Sequence, residues 1–367
     1  MKIVLTGGGT GGHVYPALAA ARYIKRQEPG AEILFVGTQK GLESRIIPEA
    51  GFTLETITAR GMPRRISPDL IKTFFSTSRG GWEARRILKS YSPQVVMGTG
   101  GYVCGPVVLS AYLMGIPCLI HEQNVIPGMT NRLLFPFVKK VCLSFKASIR
   151  YFSDPSKTAI TGNPRASEVV GISRGEGVKA LGLNPNKKTV LIVGGSRGAQ
   201  RINHCITEIL PQLVTLPGVQ LVYVTGQIYY DQVMSSEKIR EIAQRDNLFI
   251  RSYIDQMPLA LAAADLMVSR AGATMLAEIT ARGIPSVLIP SPNVTNNHQV
   301  LNARVLSDAG AAEMFLEKDL TGDLLRETMV KLLKDEKMLA AMSENSRDLG
   351  YPDSAHMIYL QLKEYLQ

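Results

Sequence analysis

Three glycine-rich loops are the first feature of this sequence that could do chemistry. They occupy residues 7–12, 98–105 and 194–198, and each follows a short apolar run typical of a β-strand. Glycines at a strand end let the backbone approach a phosphate, and the helix that follows directs its N–H groups and positive dipole end there. Three such loops predict sites for two phosphorylated substrates, although tight strand-to-helix turns alone would also use glycine.

The first loop, Gly7-Gly-Gly-Thr-Gly-Gly12, matches the G-x-G-x-x-G pattern of dinucleotide-binding proteins. That pattern requires a second element, an acidic residue at the end of the next strand, to bind the adenosine ribose. The next predicted strand ends at Gly37 and is followed by Thr38, Gln39 and Lys40, none of which is acidic. The sequence therefore argues against an NAD-dependent enzyme.

His13 directly follows the first loop, at the mouth of the crevice expected beyond the strand ends. An imidazole in this place could accept a proton from an attacking hydroxyl, or it could donate a hydrogen bond to a phosphate. Two further polar motifs follow predicted strands, where ligand-binding loops belong. They are His121-Glu-Gln-Asn124, and His298-Gln299 with Asn302.

The elements that must position these residues alternate between short apolar strands and helix-length segments, the pattern of βαβ units and parallel sheets. The pattern restarts after Gly162-Asn-Pro164, and both halves open with a strand, a glycine loop and a helix. We therefore predict two Rossmann-like domains, residues 1–163 and 164–350, with a helix in 351–367 that could pack on either. The predicted strands are 2–6, 32–37, 54–58, 94–98, 117–121, 141–145, 158–161, 189–193, 220–225, 248–252, 265–269, 286–290 and 313–316.

The chain has 367 residues, which fits two domains of ordinary size. Its net charge of +10 is concentrated in the first half, above all in residues 60–90, which also contain Ile71, Phe74, Phe75 and Trp82. Such a stretch predicts either docking on an anionic membrane or an amphipathic helix that faces its own core. Nucleic acid would attract the same charge, but no nucleic-acid-binding motif accompanies it. The basic residues are Arg60, Arg64, Arg65, Lys72, Arg79, Arg85, Arg86 and Lys89.

The remaining composition excludes several classes of protein. The four cysteines form no C-x-x-C pair, which makes a disulfide framework or a cysteine metal site unexpected. No uncharged run reaches the roughly 18 apolar residues of a spanning helix. The chain opens with a strand rather than with a signal peptide, so we expect a cytoplasmic protein.

Together the motifs resemble those of the MurG N-acetylglucosaminyltransferases, a family with the GT-B fold. They occur in family order between residues 7 and 303. The matching segments are Gly7-Gly-Gly-Thr-Gly-Gly-His-Val14 with Pro16, Gly100-Gly-Tyr-Val-Cys-Gly-Pro106, His121-Glu-Gln-Asn124, Gly162-Asn-Pro-Arg165, Gly194-Gly-Ser-Arg-Gly-Ala199, Ser269-Arg-Ala-Gly-Ala273 with Glu278, and His298-Gln299 with Asn302-Ala303.

The resemblance implies two Rossmann-like domains whose parallel sheets face a cleft, and an inverting transfer of N-acetylglucosamine (GlcNAc). The donor would be UDP-GlcNAc. The acceptor would be the C4 hydroxyl of N-acetylmuramic acid in lipid I, and the product lipid II of peptidoglycan synthesis. It also implies peripheral attachment to the cytoplasmic face of the cell membrane. No metal or other cofactor is expected, since no HExxH or paired-aspartate motif is present.

Site residues follow from the same resemblance. His13 is our candidate for the catalytic base, and Gly100, Gly101 and Tyr102 are expected to bind the acceptor. The resemblance implies donor contacts at Thr10, Gly11, Gly12, Asn124, Arg165, Ser196, Ile254, Ala273, Glu278 and Gln299. Among these, Ser196 would hold the diphosphate, the backbone of Ile254 the uracil, Glu278 the ribose, and Gln299 and Asn124 the GlcNAc.

Two positions depart from the family pattern. Met275 stands where a small hydroxyl residue is expected, which puts a diphosphate hydrogen bond in doubt, and Asn297 stands where an acid is usual. Two other functions remain open: a UDP-GlcNAc 2-epimerase on the same fold, and a non-catalytic sensor of sugar nucleotides. An epimerase would have no reason for the basic, apolar stretch at 60–90.

Overall fold

The computed structural model describes residues 1–61, 69–195 and 198–366, with no side chains described for 69–74. The chain forms two compact units. The first unit comprises Met1–Ser167 and Asp353–Gln367, and the second unit comprises Glu168–Pro352. The division thus lies a few residues beyond the predicted boundary at 163. Arg64, Arg65 and Ser196, three residues named above, lie outside the described part of the chain.

The sheet of the first unit is entirely parallel, in the order β3-β2-β1-β4-β5-β6-β7. Its central strands are continuous apolar runs because helices cover both faces of a parallel sheet. The elements are β1 Lys2–Thr6, α1 Gly11–Gln27, β2 Glu32–Gly37, α2 Glu43–Glu49, β3 Thr53–Thr56, α3 Asp69–Tyr91, β4 Val95–Gly98, α4 Cys104–Leu113, β5 Cys118–Glu122, α5 Met129–Leu134, β6 Lys140–Leu143 and β7 Thr158–Ile160.

The second unit repeats this architecture with a parallel sheet in the order β10-β9-β8-β11-β12-β13. Its elements are α6 Arg174–Ala180, β8 Lys188–Val193, α7 Gln200–Leu213, β9 Val219–Val224, α8 Tyr230–Met234, α9 Glu237–Ile242, β10 Leu248–Arg251, α10 Met257–Ala263, β11 Leu266–Ser269, α11 Ala273–Arg282, β12 Ser286–Leu288, α12 His298–Asp308, β13 Ala312–Met314, α13 Gly322–Lys334 and α14 Glu336–Asp348. The predicted strands are all confirmed, within two residues at either end, and so is the α/β class with two Rossmann-like domains.

The last helix, α15 (Ser354–Lys363), returns to the first unit. Its buried residues Ile358 and Leu362 join the hydrophobic core beneath α1. The Tyr359 hydroxyl donates to the Glu28 carboxylate at 2.7 Å, just beyond the end of α1. The fold of the first unit is therefore completed by a segment that follows the whole second unit in the sequence.

Strand order fixes where ligands can bind in each unit. β1 lies between β2 and β4, and β8 lies between β9 and β11, so each sheet reverses its order beside its first strand. At such a switch point the loops leave the carboxyl ends of adjacent strands toward opposite faces and open a crevice. The glycine loops after β1 and β4 meet there in the first unit, and the glycine loop after β8 lies there in the second.

Candidate active site

The two glycine loops of the first unit are packed against each other. The Gly8 N–H donates to the Gly100 carbonyl at 3.4 Å. Gly101 has a φ of +84°, and a Cβ on it would lie 2.3 Å from the Gly8 carbonyl oxygen. No other residue type fits at Gly101 without moving the first loop, so this glycine is required by close backbone approach.

His13 lies in the first turn of α1 and is held by groups that follow two strands, β4 and β5. Its Nδ1 lies 3.0 Å from the Thr99 carbonyl and 3.1 Å from Gln123 Oε1, and its ring packs on Gly100. The Thr99 hydroxyl donates to the His13 carbonyl at 2.8 Å. Because a carbonyl oxygen only accepts, Nδ1 carries the proton of the neutral ring, and the lone pair is on Nε2. The half-buried ring is therefore arranged to accept a proton at Nε2.

The residues just before His13 form the open edge of the first loop. Thr10 has extended backbone geometry and its carbonyl accepts the N–H groups of His13 and Val14, which starts α1. Thr10 and Gly12 are exposed and Gly11 is half-buried. The structure thus leaves these three predicted donor-binding residues accessible to a ligand.

A buried carboxylate that sequence reasoning missed lies beneath the same loop. Glu43, which is 1% exposed, accepts the N–H of Gly9 and the N–H of Thr38, both at 3.0 Å, and the Thr38 hydroxyl at 2.7 Å. The Gly9 N–H therefore donates to a carboxylate of the protein itself. Glu43 belongs to α2. The dinucleotide pattern would place a ribose-binding acid elsewhere, at 38–40, directly after β2.

The predicted acceptor residue Tyr102 lies on the loop after β4, against the first loop. A Cβ on Gly9 would lie 3.0 Å from its ring, and its hydroxyl is 3.5 Å from the Thr38 hydroxyl. Gly101 and Tyr102 are half-buried, whereas Gly100 is buried behind His13. The structure thus brings together His13 and the three predicted acceptor residues.

The 121–124 motif mainly builds the loop after β5. Glu122 is buried and accepts the N–H groups of Asn124 and Gly128, both at 2.9 Å, and Asn131 Nδ2 at 2.8 Å. Asn124 is half-buried. The expectation of a ligand-facing motif is therefore wrong for its first three side chains, which point inward, whereas donor binding by Asn124 stays a prediction.

His121 is the most deeply placed member of that motif. Its Nε2 lies 2.9 Å from the Gly162 carbonyl, and its Nδ1 lies 2.9 Å from Gln123 Nε2. Burial lowers the pKa of His121 to about 4, because the low-dielectric surroundings disfavour the charged ring. His121 is therefore neutral at physiological pH.

Arg165, a predicted donor contact, belongs to the first unit. Its guanidinium lies 5.7 Å from the centre of the Tyr15 ring, in a cation–π arrangement. Its backbone N–H donates to Asn163 Oδ1 at 3.1 Å, which orders the turn after β7. Donor binding by Arg165 stays a prediction.

The second unit contains a cavity of about 1250 Å³ beside its glycine loop, where α7 begins. Small-ligand sites usually have volumes of about 300–1,000 Å³, so this one can hold a sugar nucleotide. Gly194, Gly195, Met275 and Gln299 are among the residues that line it. Gln299 Oε1 accepts the Ser291 N–H at 2.9 Å, which orients its amide nitrogen away from that contact.

Two other predicted donor residues, Ala273 and Glu278, belong to α11, the helix whose Met275 lines this cavity. Ala273 is the first residue of α11, directly after the cavity-lining Gly272, and it is buried. Ile254 follows β10, and Glu278 is 3% exposed within α11. Among the described residues, Met275 of this helix lines the cavity and Glu278 does not. Ribose binding by Glu278 stays a prediction.

Asn297, which stands where the family pattern usually has an acid, lies in a turn with left-handed backbone conformation. Asn296 and Asn297 both have left-handed backbone angles, with φ of +55° and +48°, directly before α12. Asparagine adopts this conformation more readily than most residues. The substitution is therefore compatible with the turn that leads into His298 and Gln299.

In the ranges that the structure describes, no group of three or more metal-ligating side chains occurs. No described helix is both long and apolar enough to cross a membrane. All four cysteines are free and buried.

Comparison with known proteins defines the class of this chain. Residues 3–143 match the N-terminal domain of glycosyltransferase family 28, and residues 189–358 match its C-terminal domain. The crystal structure of MurG from Acinetobacter baumannii superimposes with a TM-score of 0.79 at 27% identity, over 99% of each chain. Fold and site thus define a two-domain glycosyltransferase of this family.

Relatives of higher identity narrow the class. A UDP-N-acetylglucosamine–N-acetylmuramyl-(pentapeptide) pyrophosphoryl-undecaprenol N-acetylglucosamine transferase of Bacillus cytotoxicus is 46% identical over the full length of both chains. The transferase of the same name in Acetivibrio thermocellus is 46% identical over 100% of this chain and 99% of its own. The chain belongs to this MurG family of glycosyltransferases.

Proposed function

We propose that the protein transfers GlcNAc from UDP-GlcNAc to the C4 hydroxyl of N-acetylmuramic acid in lipid I, which yields lipid II and UDP. The observation that carries this proposal is the full-length identity of 46% to transferases named for this reaction. The hydrogen bonds of His13 within the first unit and, separately, the cavity of the second unit agree with it.

The chemistry requires a base and a stabilised leaving group. His13 Nε2 takes the proton of the C4 hydroxyl while its oxygen bonds to the anomeric carbon. The bond from that carbon to the diphosphate breaks, and UDP leaves from the opposite face, which inverts the configuration. The N-terminal end of α7, beside Gly194 and Gly195, stabilises the negative charge that develops on the diphosphate.

The acceptor diphosphate is best accommodated by the loop after β4. In the loop after β1, Glu43 already accepts the hydrogen bond of the Gly9 N–H. A buried carboxylate at this position repels a second anion. The loop with Gly101 and Tyr102 instead leads into the N-terminal end of α4, which favours anions. We therefore assign acceptor binding to this loop.

Membrane docking by the first unit fits a lipid-borne acceptor. Helix α3 exposes Trp82 among Arg85, Arg86 and Lys89, and it contacts α4 where the Ser110 hydroxyl donates to the Gly81 carbonyl at 2.9 Å. Apolar side chains beside cations suit an anionic lipid surface, where each cation contributes about 1 kcal/mol. Exposed apolar residues of α3, α4 and α5 are Phe75, Trp82, Leu109, Tyr112, Leu113, Met129 and Leu133.

The test is incubation of the protein with UDP-[¹⁴C]GlcNAc and a lipid I analogue, with separation of lipid, UDP and free sugar nucleotide. We expect label in the lipid and one UDP for each sugar transferred. An epimerase would instead convert the sugar nucleotide without acceptor, and a sensor would bind it without turnover. Failure to label the lipid would contradict the proposal.

A further inference from the structure

We propose that Gln123, held by His121, is a positioning residue that keeps His13 in the Nδ1–H tautomer and leaves Nε2 as the proton acceptor. The catalytic consequence rests on the proposed function, whereas the tautomer itself does not. The inference follows from a chain of hydrogen bonds that joins Gly162, His121, Gln123 and His13.

The orientation of the Gln123 amide is determined by its surroundings. Its Nε2 lies 2.7 Å from the Thr99 carbonyl and 3.1 Å from the His121 carbonyl. Both carbonyl oxygens only accept hydrogen bonds, so the nitrogen of the amide must face them. The amide oxygen therefore faces His13 Nδ1, and a rotation by 180° would place three oxygen atoms together.

His121 supports the same orientation from the other side. Its Nε2 faces the Gly162 carbonyl and carries the ring proton, which leaves Nδ1 as an acceptor for the Gln123 N–H. Burial keeps this ring neutral, since it lowers the pKa of His121 to about 4. A protonated His121 would present an N–H to the amide nitrogen and break the chain.

Two hydrogen-bond acceptors therefore face His13 Nδ1: the Thr99 carbonyl and Gln123 Oε1. Serine proteases obtain the same tautomer control from an aspartate beside the histidine. Here a neutral amide replaces the carboxylate, so the tautomer is selected without a buried negative charge at Nδ1.

The experiment combines kinetics with ¹⁵N NMR of histidine-labelled protein, since imidazole ¹⁵N shifts distinguish the two neutral tautomers. His13→Gln identifies the His13 signals among the five histidines. Gln123→Met keeps the size of the side chain but removes its hydrogen bonds. Gln220→Met is the matched control, because Gln220 is a buried glutamine that orders Asn184 and Thr189 in the second unit.

We expect wild-type His13 to give the shifts of the Nδ1–H tautomer. In Gln123→Met these shifts should move toward the average of both tautomers, and kcat should fall about tenfold or more with the KM for UDP-GlcNAc unchanged. Gln220→Met should leave the His13 signals as in the wild type.

Two results would overturn the inference: an Nε2–H tautomer in the wild type, or unchanged His13 shifts in folded Gln123→Met. A wild-type protein that keeps the Nδ1–H tautomer but transfers no sugar would contradict the proposed function alone. The two failures are thus distinguishable.

Discussion

The carboxylate of Glu43 accepts the backbone N–H of Gly9 at 3.0 Å, in the centre of the first glycine loop. An internal anion thus occupies a position that a phosphate would take in a dinucleotide-binding loop. The loop is held in shape before any substrate arrives, and its open edge is reduced to Thr10, Gly11 and Gly12. The Glu43 carboxylate at this position argues against dinucleotide binding, as does the absence of an acid at 38–40.

Replacing one oxygen of the Glu43 carboxylate by an amide nitrogen should destabilise the first unit. In Glu43→Gln an amide N–H must face the N–H of Gly9 or the donors of Thr38, so one buried donor is left unpaired. We expect the free energy of unfolding to fall by about 1–3 kcal/mol in urea. Glu49→Gln, at an exposed position at the end of the same helix, should change it by less than about 0.5 kcal/mol. Equal effects of the two substitutions would contradict this assignment.

The two glycines at the ends of the 101–105 segment should respond oppositely to alanine. Gly101→Ala places a Cβ 2.3 Å from the Gly8 carbonyl at positive φ, so it should separate the loops and reduce transfer at least tenfold. Gly105 lies in the first turn of α4, and no atom lies within 4 Å of a Cβ built there. Gly105→Ala should raise the free energy of unfolding by about 0.4–1 kcal/mol.

His13 should be needed for chemistry rather than for donor binding. His13→Ala should lower kcat by roughly 10²-fold or more, the usual contribution of a general base. Binding of UDP to the second unit, measured by calorimetry, should not change. A fall in kcat of less than about tenfold would exclude general-base catalysis by this residue.

His121 should make stability depend on pH in a defined window. An unfolded histidine titrates near 6.5, whereas burial lowers the pKa of His121 to about 4 in the folded protein. The unfolded chain therefore binds more protons between these values, and stability is lost as pH falls from about 6.5 to 4, by about 3 kcal/mol. The difference between the unfolding free energies of wild type and His121→Gln should shrink by that amount across the window.

Trp82 offers a direct probe of membrane docking because it is the single tryptophan and is 64% exposed. Vesicles with anionic lipid should shift its emission to the blue, and salt should weaken the effect. Leu113→Ser should weaken vesicle binding roughly tenfold, since it removes a large apolar side chain from the interface.

Ile228→Ser is the control for docking, because Ile228 is 69% exposed but lies in the second unit. It should bind vesicles like the wild type. Docking through α3, α4 and α5 would be excluded if both substitutions had the same effect, or if neutral vesicles bound as tightly as anionic ones.

Periodicity and glycine placement were sufficient to predict the strands, because the central strands of these covered parallel sheets are short apolar runs that end at a turn. The same features predicted the glycine loops after β1 and β4. Glu43 could not be placed this way, since its reach to Gly9 depends on how α2 packs. The inward direction of His121, Glu122 and Gln123 was equally hidden, because a strand-end motif can face either the ligand or the protein. The signal that could have revealed Glu43 is an acidic residue that follows the second strand by only a few positions.

The position of α15 has a consequence for biosynthesis. The first unit emerges from the ribosome long before residues 354–363, so the surface beneath α1 that Ile358 and Leu362 cover stays bare while the second unit is made. At ordinary elongation rates this interval is on the order of ten seconds. The nascent protein therefore carries an incomplete core that a chaperone could recognise, and its first unit matures only when translation is nearly finished.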